Sequence, residues 1–231
     1  MKEKILTNVR IIDPSQKMDE IGDIVINDKG KIKSIGKNIK NSEIPKMVEK
    51  IDLKGLIAIP GLVDMKAFVG EPGFEYKENF RTLSKAALAG GVTSIVTMPN
   101  TKPIIDNVSM VDFIIRRGRD KAKVNLFPCA SITRQIEGNQ MTEFGLLKAR
   151  GIIGFSDVNK TIQNTELMSR IMNYASDIDV LIMQHAEDYE LSKNSCINEG
   201  EVATRLGLQG VSDIAEKIII ERDLSLLSEF P

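Results

Sequence analysis

A change of rhythm near Leu56 constrains this chain more than any other feature. Beyond it, short apolar runs alternate with amphipathic segments about every 30 residues, the size of one strand–helix unit. The runs lie at 57–64, 92–98, 124–130, 152–157 and 180–185, and the helix-like segments at 77–89, 108–119, 143–149 and 165–176. A further helix is expected at 213–229, capped by Ser212 and apolar on one face. Gly90-Gly91 reads as a helix stop. Apolar strands alternating with helices imply a parallel sheet, either a TIM-type (β/α) barrel or a doubly wound open sheet. No G-x-G-x-x-G run and no P-loop lysine supports the second, so the α/β chain is read as a barrel.

Residues 1–55 follow a different rule. Two alternating runs, Asp23-Ile24-Val25-Ile26 and Lys31-Ile32-Lys33-Ser34-Ile35, flank Asn27-Asp28-Lys29-Gly30, where glycine supplies the positive φ of a tight hairpin. With Ile5-Leu6 and Val9-Arg10-Ile11-Ile12 these form a small N-terminal β-domain, 1–55, ahead of a barrel portion, 56–231. The stretch 38–50, polar and charged around Pro45, reads as surface connection. The chain after the β-domain holds about five strand–helix units, whereas eight units of about 30 residues need about 240 residues. The barrel is therefore expected to be incomplete, with open strand edges that favour aggregation unless a partner pairs with them.

Composition removes several function classes. Lys and Arg total 31 against 32 Asp and Glu, a net charge of -1, so no basic field steers the chain to nucleic acid or an anionic membrane. No run reaches the roughly 18 apolar residues of a membrane span, and the first ten residues interleave charge with apolar side chains, unlike a signal peptide. Two cysteines, Cys129 and Cys196, lack C-x-x-C spacing and fit a reducing, cytoplasmic setting. There is one histidine, His185, so chemistry that needs a histidine cluster is out of reach.

In a (β/α) barrel the C-terminal strand ends face the active site. Polar residues at such ends occur at 64–73, 99–101, 131–134, at Asp157 and at 185–188. The basic run Arg116, Arg117, Arg119, Lys121 and Lys123 reads as a solvated helix end, where positive charge complements the dipole. Glu71, Glu75 and Glu78 lie in a loop and helix start, and their spacing alone gives no paired-carboxylate geometry.

At these strand ends the sequence resembles the dihydroorotases of the cyclic amidohydrolase superfamily. The matching stretches are Pro60-Gly61-Leu62-Val63-Asp64, Glu71-Pro72-Gly73-Phe74-Glu75-Tyr76-Lys77-Glu78, Met98-Pro99-Asn100-Thr101-Lys102-Pro103, Gly154-Phe155-Ser156-Asp157, His185-Ala186-Glu187-Asp188 and Asn198-Glu199-Gly200, followed by Leu206-Gly207-Leu208 and Ala215-Glu216. The likeness runs in order over nearly the whole chain. It implies a zinc-dependent hydrolase of cyclic amides in pyrimidine biosynthesis, with Asp157 and His185 at metal-ligand positions and Asn100 at a substrate-binding position.

The departures are as informative. Where active members carry Asp-x-His-x-His-x-Arg-Glu-Pro-Gly, this chain has Asp64-Met65-Lys66-Ala67-Phe68-Val69-Gly70-Glu71-Pro72-Gly73. Lys66 and Phe68 replace both histidines, and Gly70 replaces the arginine that grips the substrate carboxylate. Phe68 has no lone pair, and Lys66 would have to lose a proton from a reference pKa of about 10.4, at roughly 4 to 5 kcal/mol near neutrality. A further histidine and the catalytic aspartate of active members come from later strands. Asp157 and His185 would be residual ligands only, and no catalytic residue is assigned. Lys66 is expected to neutralise Asp157 in the space left by metal. Asn100 also has a structural role open to it, since asparagine bonds its own backbone in a Pro-Asn-Thr turn.

The resemblance therefore implies a degenerate, C-terminally truncated dihydroorotase-like protein. Non-catalytic homologues in the family assemble with aspartate carbamoyltransferase, which suggests that partner or self-association, and no cofactor. Two alternatives stay open: an active metal-dependent dihydroorotase interconverting dihydroorotate and carbamoyl aspartate, with zinc at a retained or completed site, and a truncated gene product with no independent role.

Overall fold

A computed structural model describes residues 2–40 and 48–229. Most of the connection expected at 38–50 lies outside the described residues. The chain divides into two compact units, Met1–Gly61 and Leu62–Pro231.

In the first unit, β1 (Lys4–Asp13) pairs antiparallel with β2 (Met18–Ile26), which pairs antiparallel with β3 (Ile32–Gly36). The β2–β3 hairpin forms as the alternation requires. Asn27 closes it by accepting from the Lys29 and Lys31 amides at 3.0 and 2.9 Å, and Gly30 takes φ +74°. β4 (Glu49–Asp52) and β5 (Ile57–Ala58) add parallel to β1. Val9, Ile11 and Ile24 form the buried core on one face.

The strand expected at 57–64 is two strands. Ile57 pairs with Arg10 and Ala58 with Ile11 in the first unit, and β6 (Leu62–Ala67) opens the second. Pro60, which has no amide hydrogen to give a ladder, and Gly61 separate them.

The second unit continues as α1 (Phe80–Ala89), β7 (Val92–Thr97), α2 (Val108–Lys121), β8 (Asn125–Ala130), α3 (Phe144–Ala149), β9 (Gly154–Phe155), α4 (Thr165–Asp177) and β10 (Leu181–Ile182). After these come α5 (Tyr189–Ser192), β11 (Ile197–Asn198), α6 (Glu201–Leu206), β12 (Gly210–Val211) and α7 (Ile214–Leu227), with β11 and β12 pairing separately. The five strands β6 to β10 are all parallel and lie side by side in chain order. A doubly wound sheet reverses its order at a switch point; this one never does, so it is a curled half-barrel of the TIM type.

Asparagines start the helices. Asn79 caps α1 by accepting from the Arg81 and Thr82 amides, Asn107 caps α2 and Asn164 caps α4. Gly90 ends α1 by donating to the carbonyls of Ala86 to Leu88, and Gly91 turns the chain at φ +78°. Strand alternation sends neighbouring residues of β8 into two cores. Ala130 joins the larger one with Phe80, Ile114, Phe144, Phe155 and Ile171, while Cys129 packs with Val96, Met98, Ile136 and Val158. Phe144 and Phe155 stack at 3.9 Å. Each such fully buried apolar side chain contributes about 1.5 to 3 kcal/mol.

The last helix departs from expectation. α7 buries Ala215 and Ile219 but exposes Ile214, Ile218, Leu224 and Leu227, so its apolar residues surround the axis rather than forming one face. Its cap position is Asp213, which makes no side-chain capping bond; Ser212 Oγ accepts the Ile214 amide at 3.4 Å from one residue further out.

Candidate functional site

β6 delivers Lys66 to the strand end on an exposed stretch. The Lys66 ammonium donates to the Val158 carbonyl at 3.2 Å. It does not form the expected ion pair with Asp157: the carbonyl one residue along takes its hydrogen bond, and the Asp157 carboxylate is already engaged by Thr133. Phe68 follows, half-buried, its ring 6.3 Å from Phe74, which in turn meets Tyr76 edge-on at 6.4 Å. Lys77 Nζ stands 5.3 Å from the Phe74 centroid, within cation–π range. Gly70 is buried at φ +71°.

Glu71 is the buried charge of this loop, with a side chain 5% exposed. Its Oε1 accepts from Arg117 at 2.6 and 2.8 Å, and its Oε2 accepts the Phe80 amide at 3.2 Å, at the start of α1. Arg117 thus leaves the solvated basic face assigned to it and reaches inward from α2 to hold the loop. Glu75 accepts the Gly73 amide, and Glu78 accepts the Asn79 amide, so all three glutamates serve local structure.

Asp157 lies just after β9, 2% exposed. Its Oδ1 accepts the Thr133 amide at 3.0 Å and its Oδ2 the Thr133 hydroxyl. Burial raises its pKa above the usual aspartate value, while the Thr133 hydrogen bonds pull the other way. Burial and the neighbouring Asp157 charge push the Cys129 thiol upward.

His185 follows β10 and is half-exposed; its Nε2 lies 2.9 Å from Glu187 Oε2. Thr161 spans the turn, donating to the His185 carbonyl and accepting the Glu187 amide. Hydrogen bonds from Ser192 and then His185 hold the Glu187 carboxyl below the usual range. His185 and Glu187 line a cavity of about 430 Å³ with Asn198, Glu199, Asp213 and Glu216. Asn100, after β7, is half-buried, and its buried Oδ1 has no hydrogen-bond partner.

The donor set does not fit a metal. Of the four ligand positions the resemblance names, Phe68 has no lone pair, the Lys66 ammonium donates to the Val158 carbonyl, both Asp157 oxygens accept from Thr133, and His185 Nε2 faces Glu187. Among the described residues no three His, Cys, Asp or Glu side chains converge on a common point. Sequence reasoning missed Thr133 and Arg117. Thr133 fell inside the polar strand-end stretch 131–134, which was the available signal; nothing in the helical pattern of α2 distinguished Arg117 from its basic neighbours.

Among the described residues, no helix is long and apolar enough to cross a membrane. A family model described as Dihydro-orotase-like matches residues 55–229. The dihydroorotase of Syntrophus aciditrophicus (strain SB) is 43% identical over 226 residues, covering 98% of this chain and 52% of its own length. That of Pelobacter propionicus (strain DSM 2379 / NBRC 103807 / OttBd1) is 41% identical over 222 residues, covering 96% and 51%. The chain thus spans about half the length of the curated relatives it matches. Among solved structures, an L-hydantoinase from Arthrobacter aurescens superposes with a TM-score of 0.75 at 20% identity, covering all of this chain and 51% of that one. A D-hydantoinase from Thermus sp. does so with 0.71 at 20% identity, covering 98% and 50%. At that identity the likeness establishes the fold.

Proposed function

Because the chain belongs to the dihydro-orotase-like family, we propose that it is a catalytically silent member serving de novo pyrimidine biosynthesis in the cytoplasm as a structural partner of aspartate carbamoyltransferase. One observation carries the reading. The end of β6 presents Lys66, bonded to a backbone carbonyl, and Phe68, packed on Phe74, where a metal-dependent hydrolase needs lone pairs. Without ligands there, a bound water cannot be brought to the pKa near 7 that hydrolysis at neutral pH requires. Asn100, with its unsatisfied Oδ1, keeps one polar atom where the family binds substrate.

A role through contact draws support from the surface. Leu62, Val63 and Met65 on β6, and Ile218, Leu224 and Leu227 on α7, are between 44% and 61% exposed, and apolar groups of that kind are what a protein partner covers.

The test uses the purified full chain. Zinc per chain is measured by mass spectrometry, turnover is assayed with dihydroorotate and with carbamoyl aspartate, and complex formation with aspartate carbamoyltransferase is followed by light scattering after size exclusion. The expected result is background zinc, no turnover and a defined complex at micromolar concentration. Stoichiometric zinc with turnover, or a chain that ignores aspartate carbamoyltransferase at that concentration, overturns the proposal.

A further inference from the structure

We propose that the free edge of β10 is a docking edge for a second copy of this chain, the two β10 strands pairing antiparallel about Ile182 with the α7 helices beside the joint. The inference goes beyond the functional reading above and does not depend on it.

The half-barrel ends in two strands that differ in kind. Among the described residues β6 pairs only with β7, and β10 only with β9. The β6 edge is guarded. It carries Asp64 and Lys66, its register with β7 shifts between Asp64 and Ala67, and the Lys66 amide is taken by Asp64 Oδ1 at 3.0 Å. Charge and a local irregularity are the devices that keep a sheet edge from pairing. At β10 the segment Val180-Leu181-Ile182-Met183-Gln184 holds no charge, proline or glycine, and its pairing with β9 keeps one register.

The backbone of this edge is presented for pairing. The Met183 amide donates to the Phe155 carbonyl at 2.8 Å, so Leu181 and Met183 bond toward β9, and alternation turns the amide and carbonyl of Ile182 to the open side. A strand that meets its own copy across a two-fold axis runs antiparallel to it. With the axis at Ile182, that residue and its copy exchange both backbone bonds, Leu181 stands opposite Met183 of the second copy, and Val180 opposite Gln184. Uncharged side chains meet at each of these positions, so self-pairing sets no like charges against each other.

The surface beside the edge fits the same occupant. A groove of about 500 Å³ runs between β10, α4 and α7, lined by Met168, Met172, Leu181 and Leu227 among others. On α7 the exposed Ile220, Leu224 and Leu227 follow one another at four and three residues, a single apolar stripe beside that groove. In an isologous contact the same patch is buried on both copies, so each copy covers the stripe that the other leaves in water. The two methionines can adapt their shape to what enters.

The experiment uses the full chain. Light scattering after size exclusion at about 50 µM is expected to give twice the chain mass. Exchange of the amides in 180–184 is expected to slow as concentration rises through the dimer range. Leu181→Lys and Leu224→Lys are each expected to weaken the dimer about tenfold or more, with melting of the dilute monomer unchanged, whereas Met65→Lys on the β6 edge leaves it intact. A monomer at that concentration overturns the inference, as do assemblies that grow beyond two copies, a dimer that Met65→Lys breaks and Leu181→Lys does not, and exchange in 180–184 that ignores concentration. Should a lysine variant fail to fold, the wild-type mass and exchange still decide it.

Discussion

The mouth of β6 and the mouths of β9 and β10 hold their side chains in different ways. Behind the end of β6 the loop is tied by a buried carboxylate, a cation from α2 and a run of aromatic contacts. After β9 and β10, Asp157 and His185 each bond a separate local partner, Thr133 and Glu187. The first region is structurally committed. The second keeps ligand-type side chains without a common target, which shows that residue identity at a strand end is weak evidence of a site unless the side chains converge.

The contrast is broken most forcefully at Arg117. Arg117→Ala leaves the Glu71 carboxylate buried with only one amide donor, and about 3 kcal/mol of stability is expected to be lost in urea denaturation. Glu71→Gln leaves the uncharged side chain buried and the 41% exposed arginine free to rehydrate, so the loss is expected to be smaller, about 1 to 2 kcal/mol. Equal losses would mean the loop is not held by this pair.

Asp157 sharpens the other half. Its folded-state pKa is raised by burial, so the folded state takes up a proton more readily than the unfolded chain. The stability this gives is fully present below the ordinary value of 3.8 and disappears as pH rises through the raised one. Relative to Asp157→Asn, which mimics the neutral form at every pH, the wild type is expected to gain stability as pH is lowered from 7 toward 3.8. A difference that stays flat over that range in thermal melts would mean the carboxylate is not destabilised by its surroundings.

The smallest effect belongs to Lys66. Its side chain is exposed and its one hydrogen bond goes to a carbonyl, so Lys66→Ala is expected to change stability by no more than about 0.5 kcal/mol. A loss of several kcal/mol would restore the idea of an ion pair across the former site.

Much of the architecture was legible because it rests on local signals. The strand–helix alternation after Leu56, the Asn27 to Gly30 turn and the Gly90-Gly91 stop each depend on a few neighbouring residues, and the structure carries all three. The split at Pro60-Gly61 was hidden because Ile57 to Asp64 reads as one apolar run, and only pairing partners show that Ile57 belongs with Arg10. The site was legible as positions and not as contacts. That Phe68 has no lone pair and Lys66 ligates only after losing a proton follows from their side-chain chemistry, whereas Thr133 under Asp157 and Arg117 under Glu71 are joined across 24 and 46 residues by tertiary folding.

Besides its exposed apolar residues, α7 carries a set of hydrogen bonds to earlier parts of the chain. Arg222 donates to the Ile162 and Gln163 carbonyls, Asp223 accepts from Gln184, and Gln184 in turn accepts the Ile162 amide. One turn of this helix thus holds the chain entering α4 and the residue next to His185. Opening α7 removes the hydrogen bonds of both segments at once, so hydrogen exchange is expected to show them as one cooperative unit of elements more than 50 residues apart in sequence.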